Sequence, residues 1–554
     1  MTASPATPAA APASGEAVLL RAARIRAEGA EPAAAPPTGM LVVDGRVAAL
    51  GDADELAAAH PGARVDDFGD AVITPGLVDG HMHPIWGLSL ARGAALGDCE
   101  SYDELLEALR AEAAGLADGE WLLGWGLEPR LLPEGPVAND FLHEAVGADR
   151  PAYITMFDAH SAVVSRAALE AAGVEGPESF ADGGGIVERE DAAGRAGLDR
   201  LSGHVLEFGA IERMQRHVPQ STIAEQAARL HGLLSEMAAT GLTGAYVTDA
   251  QPRDLVEVLD AIEADGELPM RLRISPWCTP EMDDDDLEAL VDRLGRGGRR
   301  WRLEGVKLFI DGTIDGGTAW LEQPDRLGDG AHGFWHDPER YARRVRRLHE
   351  LGVPTITHAI GDRGVRFVVE TLADLPANGV QHRIDHLELV ADDVIDRIGE
   401  LGIAVCVQPS HCTLFTHPEG LDTWSQRLGE PRNQQGWKTR RYLEAGAVEA
   451  LGSDWPVAPY DPRTIIADAQ LRHPHDRDTP LIHPEQALTA EEALTGYTSM
   501  VPRSVGLDGG GLAIGDDADC TVWAADPVAA DPREVARIPI IATAIAGALV
   551  VDAR

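Results

Sequence analysis

The apolar and polar positions of this 554-residue chain fall into two patterns. Near both ends they alternate with a period of two, as half-buried strands require. "AVLLRAARI", "MLVVDGRVAALG" and "ARVDDFGDAVITPG" do so early, and "GGLAIGDDADCTVWAADP" and "IIATAIAGALVVDAR" late. Residues 17–75 and 506–554 are therefore expected to join in one small β-sandwich domain. Between them, short apolar runs alternate with helical stretches. Eight runs have the length of parallel strands: "AVITPGLVDGHMH", "GLTGAYVTD", "MRLRISPW", "EGVKLFID", "GVPTITHAIGD", "QHRIDHLEL", "GIAVCVQPS" and "AVEALGSDW". In the helical stretch "STIAEQAARLHGLLSEMAATG", Thr222 and Glu225 read as a capping box and Gly241 as the stop. Ile223, Ala227, Leu230, Leu234 and Met237 keep a helical spacing. Eight strand-then-helix units predict an α/β fold, a (β/α)8 TIM barrel over residues 76–505. About 130 residues follow the first strand before the next unit, roughly four times the ~30 of one βα unit. Residues 95–220 are thus expected to be a large insertion over the face where barrel strands end, acting as a lid.

Composition narrows the classes. Lys+Arg total 47 against Asp+Glu 90, a net charge of -43, so neither nucleic acid nor an anionic membrane surface is an expected partner. Scarce lysine with abundant Ala, Gly and Arg fits a GC-rich genome better than a high-salt habitat. Five scattered cysteines without CxxC spacing argue for a reducing compartment and against a cysteine-based zinc site. Residues 1–16, rich in Ala, Pro and Ser, have neither a basic n-region nor an apolar h-region, and are expected to be a disordered tail. No apolar stretch approaches the ~20 residues of a membrane span. A cytoplasmic protein is expected.

Polar residues then stand out at the ends of the predicted strands. His81 and His83 lie two apart, so on a strand both imidazoles share a face. His358 ends "PTITH", His386 ends "RIDH" and Asp454 ends "ALGSD". Lys307 holds the same place in "LEGVKLFIDGT", although lysine is rarely buried unpaired. Lysine occurs elsewhere only at Lys438; arginine carries nearly all the positive charge. A barrel gathers its strand ends into one mouth, and imidazole and carboxylate suit zinc and similar divalent ions. Singly each residue has a plain structural reading; together, in order, they point to a metal centre. By contrast "HPH" at His473–His475 reads as polar surface loop.

The words "ITPGLVDGHMHP", "GVKLFIDGT", "ITHAIGD", "IDHLEL", "VQPSH" and "GSDWPV", with "DAHSAVVS" in the insertion, resemble the amidohydrolase superfamily. Within it they look like amidohydrolase family 3, which contains N-substituted formamide deformylases. Where relatives commonly carry a Gly-Ser-Leu-Gly type segment after the lysine strand, this chain reads "DGTIDGGTAW". The resemblance implies one metal on His81, His83 and Asp454, a second on His358 and His386, and a carboxylated Lys307 bridging the two. Carbon dioxide would be held there as the carbamate, which needs a neutral primary amine that arginine cannot offer. The metal would be zinc, with manganese, iron or cobalt as alternatives, as one or two ions. The implied activity is hydrolysis of a C–N bond, in an amide or N-substituted formamide, with Asp454 moving the proton. A small-molecule amide is then the expected partner, and assembly into a homo-oligomer stays open. Trp86, Trp125, His160, Trp320 and Trp455 are candidate substrate contacts, Trp125 lying in the apolar "WLLGWGLEP". Two rivals remain: a single-metal deaminase of an amino-heterocycle, against which Lys307 argues, and a catalytically silent scaffold, which would have lost ligands.

Overall fold

The computed structural model describes residues 17–28, 36–90, 92–97, 99–133, 135–156, 161–180, 184–219, 221–249 and 254–554. The chain forms two compact units, Met1–Pro84 with Ala227–Arg554, and Ile85–Gln226. The fold is mixed α/β.

In the first unit two wholly parallel sheets carry the site. One orders Trp301–Leu303, Arg271–Ile274, Leu242–Val247 and Leu77–Met82. The other orders Val306–Phe309, Thr355–Ala359, Arg383–His386, Ala404–Val407 and Glu449–Leu451. Parallel pairing buries both faces of a strand, which explains the unbroken apolar runs. The sheets are tied at both edges. Lys307 N–H donates to the Pro276 carbonyl (2.9 Å) and Cys278 N–H to the Lys307 carbonyl (2.8 Å). At the far edge Asp454 N–H donates to the His81 carbonyl (2.7 Å), and Ser453 N–H to the Asp79 carboxylate (3.1 Å).

One predicted strand proves to be two. "AVITPGLVDGHMH" breaks at Gly76, where a Cβ would lie 2.4 Å from Thr243 Oγ1. Val72–Pro75 pairs with Cys520–Trp523 near the C-terminus, and only Leu77–Met82 enters the parallel sheet. A further short strand, Trp301–Leu303, precedes the Lys307 strand and is separated from it by Gly305 at φ +69°. The segments from the two ends of the chain build two more sheets, Arg46–Gly51, Gly39–Val43, Ala17–Arg21, Arg64–Asp67 and Arg24–Ile25, Val72–Pro75, Cys520–Trp523, Ile540–Ile545, Ala548–Asp552. Val18, Leu20, Met40, Ile73, Val522 and Ala542 share one buried apolar cluster there.

The helix Ile223–Ala239 starts on the reciprocal Thr222–Glu225 bonds and buries Ala227, Leu230, Leu234 and Met237. All five cysteines are buried. No helix among the described residues is long and apolar enough to cross a membrane.

The second unit has its own seven-stranded sheet with two apolar clusters. "WLLGWGLEP" supplies its strand Leu122–Leu127, with Leu122 and Leu127 in one cluster and Trp121 and Leu123 packed on the other.

Candidate metal centre

His81 lies on the strand Leu77–Met82 and His83 one residue beyond it. Their Nε2 atoms converge to 3.3 Å, as the spacing of two requires. Each ring is fixed from behind by a carboxylate. His81 Nδ1–H donates to Asp385 Oδ2 (2.5 Å), and His83 Nδ1–H to Asp249 Oδ1 (2.9 Å). That leaves both Nε2 lone pairs facing Asp454, whose Oδ1 is 3.4 Å from His81 Nε2 and 3.0 Å from His83 Nε2. Such carboxylate–imidazole pairs set the tautomer and aim the ligand nitrogen. Asp385 is itself held by the fully buried Arg383, whose Nε and Nη2 donate at 2.8 and 3.1 Å.

A second donor group shares Asp454. His386 Nδ1 and His411 Nε2 lie 3.9 and 3.7 Å from Asp454 Oδ2. The triads His81–His83–Asp454 and His386–His411–Asp454 each have the compactness a metal ion requires. His411 sits on the short helix Pro409–Phe415 rather than on a strand end, so strand-end reasoning passed it over although "VQPSH" contains it. Asp249, Asp385 and Arg383 were likewise missed, each at a strand end where it reads as a cap or an ion pair.

His358 stands beside these groups, its ring 4.3 Å from that of His386. Its Nε2–H is turned to the Gly312 carbonyl (3.2 Å), which keeps it out of both triads. Lys307 is fully buried, and its Nζ has no hydrogen-bond partner; Asp385 Oδ2 is 3.9 Å away. Asp311, four residues on, accepts from the amides of Trp320 (2.8 Å), Ile360 (3.0 Å) and Gly361 (2.8 Å), clamping "DGTIDGGTAW" to the end of the His358 strand.

Burial pushes the Lys307 amine down to about 8, with Asp385 and Asp454 only partly opposing. Burial, then Lys307, takes His358 down to about 3; burial and His358 hold His386 well below its ordinary value. Burial disfavours charge on Asp454, yet the imidazoles of His81, His83 and His386 around it outweigh burial and keep the carboxyl ionised. On His83 burial is outweighed by Asp249 and Asp454, raising it to about 9. A proton there does what a cation between these lone pairs would do. Together with the unpartnered, buried Lys307 Nζ, His386 Nδ1 and His411 Nε2, the imidazole and carboxylate donors fit a divalent ion.

Trp320 rests on Phe367 (5.5 Å) and Arg363 (5.5 Å). Trp455 is half-buried, its carbonyl accepting from His83 N–H (2.8 Å) and its ring edge-on to Tyr460 (6.1 Å). Trp86, in helix Pro84–Leu90, and Trp125, in register with Ala95, are half-buried. His160 lies outside the described residues. His473, expected at the surface, is buried, its Nδ1–H donating to the Pro474 carbonyl (2.8 Å); Arg472 ahead of it, in the left-handed region, turns the segment inward.

Residues 64–551 match the model of the amidohydrolase family. The chain belongs to that family. Residues 39–63 also match an imidazolonepropionase-like composite domain of bacteria. Among curated relatives of this amidohydrolase, YtcJ of Bacillus subtilis (strain 168), itself named for an amidohydrolase, is 28% identical over 92% of this chain and 95% of its own. The protein LONG AFTER FAR-RED 3 of Arabidopsis thaliana is 26% identical over 81% and 77%. A metal-dependent hydrolase from Pyrococcus horikoshii OT3 shares the fold at a TM-score of 0.73, with 22% identity over 93% of this chain and 99% of that one. The family match over most of the chain, with the amidohydrolase relative, supports a hydrolase.

Proposed function

We propose that this amidohydrolase hydrolyses the C–N bond of an amide or N-substituted formamide. The observation that carries this is the single carboxylate of Asp454 set between two imidazole groups, one oxygen facing each. The two parallel sheets, tied at both edges, are read as one closed (β/α)8 barrel, and the terminal sheets as a β-sandwich beside it.

His81, His83 and Asp454 would hold one divalent ion, zinc in the first instance. His386 and His358 would hold a second, which requires the His358 ring to turn from the Gly312 carbonyl that it faces here. Lys307 would bridge them as its carbamate, its long stem and neutral amine being what that adduct needs. When bound, the metal supplies Lewis acidity, which acidifies a water and polarises the substrate carbonyl. Asp454 accepts the proton of the attacking water. As the water oxygen bonds to the carbonyl carbon and the C–N bond breaks, the same carboxyl returns that proton to the departing nitrogen, giving a carboxylic acid and an amine. His411, its Nε2 buried and unpartnered 3.7 Å from Asp454, is placed to donate to the carbonyl oxygen as charge develops there. Arg383 and Asp385 keep His81 aimed.

Metal analysis of the purified protein, coupled to a screen of N-acyl and N-formyl amines, tests the reading. One or two equivalents of divalent metal with release of free amine is the expected result. A protein that purifies without stoichiometric metal, or one that releases only ammonia from amino-heterocycles, overturns it.

A further inference from the structure

Six aromatic rings are linked by successive contacts across the donor cluster, with His81 branching off His386 at 4.7 Å. Phe334 is 5.9 Å from Phe309, Phe309 is 5.1 Å from His358, and His358 is 4.3 Å from His386, centroid to centroid. The row continues from His386 to His411 (6.3 Å) and from His411 to Phe415 (5.4 Å). Its middle is three imidazoles of the donor cluster, and both its ends are phenyl rings at the surface. Phe334 is 44% exposed and Phe415 41%.

Neither end is a loose surface side chain. Phe334 N–H donates to the Ile310 carbonyl (2.8 Å), so it is tied to the residue that follows the Lys307 strand. Phe309, half-buried, ends that strand, with Trp277 edge-on at 4.8 Å and Lys307 Nζ 5.1 Å from its ring. Phe415 lies four residues after His411 on the helix Pro409–Phe415, hence on the same face. The elements that aim the polar donors therefore also aim the two phenyl rings.

A planar trans amide sends its carbon substituent and its nitrogen substituent in opposite directions. With its carbonyl at the donor cluster, one substituent would run toward Phe334 and the other toward Phe415. A small polar substrate would leave the exposed faces of both rings in water. We propose that the row is the wall of a two-armed substrate cleft, with Phe309 and Phe334 lining one arm and Phe415 the other. The substrate it fits is an N-acyl amine with apolar, preferably aromatic, groups on both sides of the scissile bond. A formamide, whose acyl carbon bears only hydrogen, would leave one arm empty. This rests on the hydrolase reading above.

The metal-loaded full-length enzyme is assayed on N-methylacetamide, N-benzylacetamide, N-methylbenzamide, N-benzylbenzamide and N-benzylformamide. Each aromatic substituent is expected to raise kcat/KM roughly 10- to 100-fold, the scale of one buried ring. Phe334→Ala should erase most of that ratio on one side of the amide and Phe415→Ala on the other. Calorimetric binding of N-benzylbenzamide is measured in parallel. If both variants weaken binding while no amide is cleaved, the hydrolase reading fails and the cleft stands. If amides are cleaved but neither variant changes any aromatic-to-methyl ratio or the binding, the cleft is overturned. A variant that turns an oligomer into a monomer with those ratios intact also overturns it, assigning the rings to an interface between copies. A wild-type preference for the formamide over N-benzylbenzamide overturns the second arm.

Discussion

Two donor residues hold backbone conformations that side chains seldom adopt: Asp454 at φ +59° and His386 at φ +77°, the latter followed by Leu387 at +50°. A left-handed non-glycine residue costs on the order of 1–3 kcal/mol, which the surrounding structure must offset. Here the offset is visible, since the Asp454 amide donates to the His81 carbonyl and the Leu387 amide to the Ala359 carbonyl. The strained turn lets Asp454 present one oxygen to each donor group. Asp454→Asn keeps the size of the side chain but cannot carry the proton, so kcat should fall roughly 10²- to 10⁴-fold, the scale of a positioned acid–base group. Metal occupancy must be measured alongside, because an unchanged rate at full occupancy would remove Asp454 from the proton path. Lys307→Ala should lose both metal and activity, and short carboxylic acids should restore part of each by supplying the missing oxygens. Lys307→Arg should stay inactive; full activity in that variant would mean that Lys307 bridges nothing.

At the scale of the element, the close pass of strand Leu77–Met82 against the end of strand Glu449–Leu451 sets where His81 can stand. A Cβ on Gly80 would come 2.6 Å from the Leu451 carbonyl oxygen and 2.9 Å from Cys406 Sγ. Gly80→Ala must push the strands apart. The expected cost is about 1–3 kcal/mol of stability from overpacking, with reduced metal content as His81 leaves Asp385. Denaturant unfolding and metal analysis check this; full metal and wild-type stability would mean the strands have slack. Much of this layer was legible in the chain. The parallel strands showed as unbroken apolar runs, and His81, His83, Lys307, His386 and Asp454 as polar residues where those runs stop. What escaped had no local signature. Gly76 splits one run into two because Thr243, distant in sequence, lies against it. His411 lies on a helix seven residues long, where period-two reasoning does not apply. Asp249 and Asp385 gain meaning only from histidines 166 and 304 residues away.

At the scale of the whole molecule, charge is the largest uncompensated quantity. Ninety acidic residues face 47 basic ones, so even complete pairing of every cation leaves 43 negative charges in excess. Many pairs are exposed, such as Arg21–Asp54 and Arg216–Glu212, and an exposed pair is worth only about 0–1 kcal/mol. Salt weakens those pairs, but it also screens the repulsion among the excess carboxylates, which destabilises the compact state. The excess decides the sign: added salt should raise the melting temperature. The shape of the curve separates screening from ion-specific effects. Between ~0.01 M and ~0.15 M the Debye length shrinks from about 30 to about 8 Å, and by ~1 M only to about 3 Å. Most of the rise should therefore come below ~0.2 M potassium chloride, while the metal content of the fully buried His81–Asp385 centre stays constant. Calorimetric melting across that range, at fixed pH with metal measured at each point, is the check. A falling melting temperature would show that the exposed ion pairs outweigh the repulsion. A rise confined to molar salt would assign the effect to exclusion of the ions from the surface instead.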